Sequence, residues 1–288
     1  MAADIVQQIM ALVVGGLSTG FLMALLGLSI TLVFGLGGVL NLSLGNFAVI
    51  AATATVVLLG MTGSLLIGAV GGLLISAVLG IVVDRSLLSL VYRSTGEQRT
   101  LVGIFTMLGL SIVLDGFMYI YYPSQYSVPL NAPSLDFGGV TFRGSSLVII
   151  AISVLLIGIL YTFFERTYLG GATQTIMQDE TGALVCGINP RRMRTLVFII
   201  SIAIASIAGI LYAASGSVTP ASSFRLTIQA LIVSIAGGVT SISGTIAAGL
   251  LLGIVSTVAA SVIGSSWSSV VLFGVVLSVI FVRPGDIV

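Results

Sequence analysis

No charged side chain stands between Asp4 and Asp84. A water-soluble domain carries charge on about a quarter of its residues, so a stretch this long without any cannot present a surface to water. The same scarcity holds along all 288 residues, of which 7% are charged and 57% hydrophobic. Lipid therefore has to supply much of the solvent. A membrane-crossing helix needs about 20 apolar residues, which leaves room for eight or nine spans, short loops and no separate soluble domain. The expected fold is all-α and polytopic, one transmembrane domain over residues 1–288, with some spans broken or re-entrant.

Apolar runs place the spans at about 9–34, 39–59, 64–83, 100–122, 146–164, 195–214, 226–242, 244–263 and 267–282. The second and seventh are interrupted by glycine. Residues 123–145 read as a loop, marked by Pro123, Pro129, Pro133 and Gly138-Gly139. Two polar islands, 84–99 and 165–194, contain seven of the ten arginines, and there is no lysine. Two spans separate the islands, so they share a side, and the positive-inside rule assigns that side to the cytoplasm. Counting spans outward puts the N-terminus outside and Arg283 inside. Tyr119, Tyr121, Tyr122 and Tyr126 fit an aromatic belt at the outer interface. The N-terminus has Asp4 and no basic flank, which argues against a cleaved signal. A net charge of +1 gives no case for nucleic-acid binding.

Catalytic chemistry has little to work with. Histidine is absent, and the single cysteine, Cys186, excludes an internal disulfide; it reads as a small buried side chain. Asp115 is the main carboxyl inside an expected span, a candidate because charge at membrane depth is costly. The segment GLGGVLNLSLGN, residues 35–46, puts four glycines and two asparagines into an apolar stretch. Unwound backbone at membrane depth survives only where protein or a cavity surrounds it. Asn41, Ser43, Gly45 and Asn46 then read as the lining of a path for a polar or zwitterionic solute; the alternative is close helix packing through small residues. Residues 37–43, GGVLNLS, have an echo in residues 237–243, GGVTSIS. That adds Gly237, Gly238, Ser241 and Ser243 to the path and suggests an internal repeat with halves at about 1–140 and 141–288. Residues 173–185 pattern as one short amphipathic helix, stopped by Gly187 and Asn189-Pro190, of a kind that docks in a groove of a soluble partner.

At these segments the chain resembles a known family, the membrane subunits of ABC importers for branched-chain amino acids. The run GLSTGFLMALLGLSITLVFGLGGVLNLSLGN carries the first likeness, and DETGALVCGIN, residues 179–189, is similar to the family's ATPase-docking motif. Within it Gly187, Ile188 and Asn189 match the motif's end, and Ala183 falls where its first alanine is expected. Leu184 replaces the motif's second alanine, and Thr181 stands where the motif has Glu, with Glu180 one residue earlier. IAGGVTSISGTIAAGLLLG, residues 235–253, and the closing VRPGDIV add two more likenesses. The resemblance implies a second permease subunit, generally a different chain, two cytoplasmic ATPases that bind ATP and Mg, and an outer substrate-binding protein. It implies ATPase coupling through Asp179, Glu180, Gly182, Ala183, Gly187, Ile188 and Asn189. No Walker A sequence occurs, so no nucleotide cofactor is expected in this chain. Three other readings stay open: an ABC permease for urea, a short amide or a sugar; a secondary transporter, which would need ionisable groups in its spans; and a membrane enzyme, which lacks histidine and metal ligands here.

Overall fold

A computed structural model describes residues 2–94, 97–130, 133–137 and 140–282. In chain order the elements are α1 (Ala2–Gly37), α2 (Leu44–Thr62), α3 (Leu65–Val83), α4 (Ser89–Val91), α5 (Glu97–Tyr121), β1 (Leu135–Phe137), β2 (Val140–Phe142), α6 (Gly144–Arg166), α7 (Tyr168–Gln178), α8 (Glu180–Val185), α9 (Pro190–Ser215), α10 (Ser222–Gly237), α11 (Ile242–Ile263) and α12 (Ser265–Val282). Among the described residues, seven helical stretches are long and apolar enough to cross a membrane, and α10, at 16 residues, is shorter. The protein is an all-α, multi-pass membrane protein, apart from the small antiparallel hairpin β1–β2.

Glycine stripes explain how the spans pack. Lipid tails are as apolar as leucine, so helices associate where small residues let backbones touch. Gly16, Gly20 and Ala24 recur at four-residue steps on α1 and meet Ile254, Leu250, Gly253 and Gly249 of α11. A β-carbon on Gly253 would lie 2.1 Å from the Cα of Gly20. On α3 the buried stripe is Gly68, Gly72, Ser76, Gly80 and Val83; Gly68 and Gly72 lie against the α2 carbonyls of Thr55 and Ala51. Hydroxyl bonds add specificity between spans: Ser206 to Ser76 at 2.7 Å, and Ser201 to the Ser29 carbonyl at 2.7 Å. The core runs along α1, whose best apolar window is 83% buried, against 28% for α3 and α5 and 22% for α6.

Several boundaries differ from the sequence expectation for local reasons. The second span begins at Leu44, not 39, because Gly38 takes φ +63° and Asn41 bonds to Ser43 in place of a helical turn. Polar island 84–99 is not all loop. Helix α3 continues through one π turn, Asp84–Leu88, into α4, making a single span Leu65–Val91. Asp84 is buried there and accepts from the Thr195 hydroxyl at 2.7 Å. The amphipathic stretch 173–185 is two helices, broken where Asp179 extends to cap α8. Cys186 is exposed, since it ends α8 at a surface turn. Of the tyrosine group, Tyr119 and Tyr121 face outward, whereas Tyr122 and Tyr126 are half-buried and pack edge to face. Loop 123–145 contains β1–β2, and Tyr126 pairs with Val218 to tie it to the α9–α10 turn. Arg283 and the rest of the closing RPGDIV lie outside the described residues.

Candidate transport path and coupling segment

The break after α1 begins with backbone chemistry. Gly38 donates its N–H to the Phe34 carbonyl at 2.8 Å and turns left-handed, which glycine tolerates without steric cost. Thr100 of α5 donates its hydroxyl to the Gly38 carbonyl at 3.0 Å. The chain then crosses bundle interior: Asn41, Ser43 and Asn46 are all but fully buried. Asn41 Oδ1 accepts from the Ser43 N–H and hydroxyl at 3.2 and 2.8 Å, which leaves Asn41 Nδ2 buried without an acceptor.

Helix α2 therefore starts partway through the bundle, with its first turn against α5 and α10. Asn46 donates to Asp115 Oδ1 at 2.7 Å and to the Ser111 carbonyl at 3.3 Å, and accepts from the Ser111 hydroxyl at 2.8 Å. Ser223, in the first turn of α10, also donates to Asp115 Oδ1. Gly45 donates its N–H to Thr227 at 2.9 Å, and a β-carbon there would sit 1.9 Å from the Ser223 carbonyl oxygen. Gly45 is thus a close contact between α2 and α10. Asn46 joins Ser111, Asp115 and Ser223 in one polar cluster, with Gly45 and Thr227 beside it, whereas Asn41 and Ser43 bond each other next to Met107. Ser111 and Asp115 share α5, and Ser223 and Thr227 share α10; Asp115 was legible as an intramembrane acid, but the three hydroxyls carried no sequence signal.

Gly237, Gly238, Ser241 and Ser243 do not join that cluster. They sit at the far end of α10, 14 residues past Ser223, or about 20 Å at the helical rise. Both breaks turn at a glycine with positive φ, Gly238 at +88°, but their caps differ: Ser241 caps α11 by accepting from the Gly244 N–H at 3.1 Å, whereas Ser43 before α2 makes no side-chain cap bond. Gly237 packs directly on the Gly244–Thr245 backbone. Exposed Ser243 lines a cavity of about 500 Å³ with Thr31, Glu165, Gln174 and Thr240. Beside it, Thr31 bonds Ser234 and Thr245 at 2.7 and 2.9 Å, joining α1, α10 and α11.

The two arginine islands meet at one end of the bundle. Glu180 on α8 accepts from Arg194 at 2.6 Å and from Arg99 at 3.4 Å. Burial raises its pKa, but the Arg194 hydrogen bond and charge, helped by Arg99, outweigh that and bring the net value below the ordinary 4.5. Arg194 also lies over the Tyr92 ring, 5.1 Å from its centre. Burial pushes the Tyr92 hydroxyl up to about 12 against the Arg194 charge. That hydroxyl packs over Gly37, where the α1 break begins. Around Glu180, Asp179 caps α8 through the Thr181 N–H at 2.9 Å, and Gly182 leaves room for that carboxylate, 2.6 Å from where a β-carbon would sit. Ala183 is fully buried, and its carbonyl accepts from Ile188. Gly187 turns at φ +80°, and Asn189 caps α9 by accepting from the Arg191 and Arg192 N–H groups. Leu184 and Val185, 56% and 85% exposed, form an apolar knob on this charged end.

A family model described as branched-chain amino acid transport system / permease component matches residues 12–280. The chain belongs to the branched-chain amino acid transport permease family. Members of this family are transport components, not enzymes. Similar proteins include the high-affinity branched-chain amino acid transport system permease protein BraD of Pseudomonas aeruginosa, 27% identical over 95% of this chain and 94% of that one. LivH of Escherichia coli K12, of the same description, is 27% identical over 94% of this chain and 92% of its own. LivM of E. coli K12, another high-affinity branched-chain amino acid permease protein, is 33% identical over 41% of this chain and 29% of its own. A solved structure of PsaBC from Streptococcus pneumoniae in complex with Fab superposes with a TM-score of 0.55, covering 99% of this chain and 98% of that chain at 15% identity. The last likeness is one of fold.

Proposed function

We propose that this chain is the membrane-spanning permease subunit of an ABC importer that moves branched-chain or other hydrophobic amino acids inward by alternating access. The observation that carries the reading is the buried break between α1 and α2. It puts Asn41, Ser43 and Asn46 at the heart of a multi-pass bundle, where broken backbone is held within protein or beside a cavity and uncharged polar groups suit a polar solute. The substrates in the relatives' names supply the class. Energy comes from partners, since the chain has no lysine and hence no Walker A loop. Two ATPases bind ATP and Mg and dock on the apolar knob of α8 and the turn through Gly187 to Asn189. A second permease subunit of a different sequence completes the path, a pairing supported by LivH and LivM of E. coli both being similar to this chain. A substrate-binding protein delivers from outside. The arginine end faces the cytoplasm and the start of α1 faces out, as positive-inside asymmetry requires. The matched breaks after Gly37 and Gly237 support an internal repeat.

The test is transport by the reconstituted assembly. Vesicles holding this chain, its second permease and both ATPases, with binding protein outside, should accumulate leucine only with ATP inside. Accumulation without ATP would replace this reading with a secondary transporter. Uptake of urea or a short amide in place of leucine would move the substrate class.

A further inference from the structure

The geometry points to Asp115 as the group that receives the ammonium of the transported amino acid, making it a specificity-determining residue of the path. The inference rests on the transport reading above. Asp115 sits on α5 beyond the described arginine end, and neither of the two ion pairs drawn there reaches it. Both of its hydrogen bonds, from Asn46 and Ser223, fall on Oδ1. Oδ2 has no hydrogen-bond partner among the described residues. The nearest arginine along α10, Arg225, is turned away and bonded to Tyr212. A carboxyl at membrane depth, fixed by two neutral donors and given no cation of its own, is arranged to accept a visiting cation.

The surroundings match the rest of an aliphatic amino acid. One residue before and three after Asp115, Leu114 and Met118 line a cavity of about 710 Å³ whose walls are almost wholly apolar. Ile50, one turn after Asn46 on α2, lines it too. Asp115 itself does not line that cavity; Leu114 and Met118 carry its apolar wall along α5 on either side of the acid, and the branched side chain of a solute whose ammonium sits on Oδ2 would lie toward it. Further along α5 the polar groups become neutral: Ser111 with Asn46, then Ser43 beside Met107. Met107 lies eight residues from Asp115, about 12 Å along the helix. At that level Asn41 Nδ2 is a buried donor without an acceptor, suited to the carboxylate of a ligand that has moved inward. Urea, a neutral amide or a sugar would leave the acid uncompensated, so the site favours ammonium-bearing solutes.

Two measurements on the complete transporter test this. Asp115→Asn should lower leucine uptake by about tenfold or more, the equivalent of one charge-assisted hydrogen bond, while the assembled complex is recovered from the membrane at its usual level. Asp115→Glu should recover part of the uptake. Independently, Cys186→Ser removes this chain's only thiol, and Ser223→Cys then sets a probe beside Asp115, read by labelling of this chain alone. A cationic methanethiosulfonate should modify it faster than an anionic one, leucine turnover should slow the reaction, and Asp115→Asn should abolish the preference. Wild-type leucine uptake by Asp115→Asn would overturn the inference. So would loss of the assembled complex along with uptake, which marks a structural residue, or equal labelling by both reagents. Failure of the unmutated transporter to move leucine would instead sink the transport reading, and the labelling preference would still judge the acid.

Discussion

Glu180 holds two arginines from different parts of the chain, and its titration has a defined sign. Its pKa is lower in the folded protein than the ordinary 4.5. The ion link therefore stabilises α8 at every pH above that value and is lost as the pH falls through the lowered one. Glu180→Gln should raise amide exchange across residues 180–188 several-fold at neutral pH, and the unmutated protein should match it only after acidification below 4.5. Unchanged exchange would mean the link is idle. At this scale the sequence was readable where a residue stood out from its run. Asn41, Ser43 and Asn46 are polar in an apolar stretch, and the structure gathers them. Ser111, Ser223 and Thr227 look like any hydroxyl on a membrane helix, and only the meeting of α2, α5 and α10 makes them a cluster. Gly45 fitted both a path and a packing contact, and its backbone approach to Ser223 shows the contact.

Helices here are joined through absent side chains, so small additions act strongly. Gly45→Ala would press a methyl onto the Ser223 carbonyl, 1.9 Å away, where no rotamer offers relief. We expect a loss of at least about 1–3 kcal/mol, the usual cost of overpacking, read as a lower melting temperature in detergent. Gly187→Ala meets nothing within 4 Å, so its cost is confined to forcing a left-handed turn, about 1–2 kcal/mol. Membrane levels should hold while coupled ATP hydrolysis falls; intact coupling would remove this turn from the docking surface. Element positions were legible from apolar runs because membrane thickness fixes length. Breaks inside the runs were less so. The second span's late start depends on Gly38 and Asn41 acting together, and the split of 173–185 depends on Asp179 preferring a cap to a helical turn. Helix continuity through Asp84 was hidden because its buried partner, Thr195, is remote in sequence.

Across the whole molecule, most of the charge falls in the two polar islands, with Asp115 apart inside a span. The arginine islands, two spans apart in sequence, converge on Glu180, as a shared side demands. Cys186 gives this arrangement a built-in reporter, being the only thiol and exposed at that end. A membrane-impermeant maleimide should label it in inverted vesicles and spare it in intact cells; the reverse pattern would invert the orientation. That the two islands share one end was readable from the arginine positions alone, whereas the internal order of the bundle was not, since every span is similarly apolar. That order has a consequence for biogenesis. Helix α1 is the best-covered span, yet it leaves the ribosome before every helix that covers it. Until α9, α10 and α11 follow, its row of glycines must wait against lipid with no partner backbone. A span free of charge can afford that wait in the bilayer, and assembly then closes around the earliest helix only once the last third of the chain has been made.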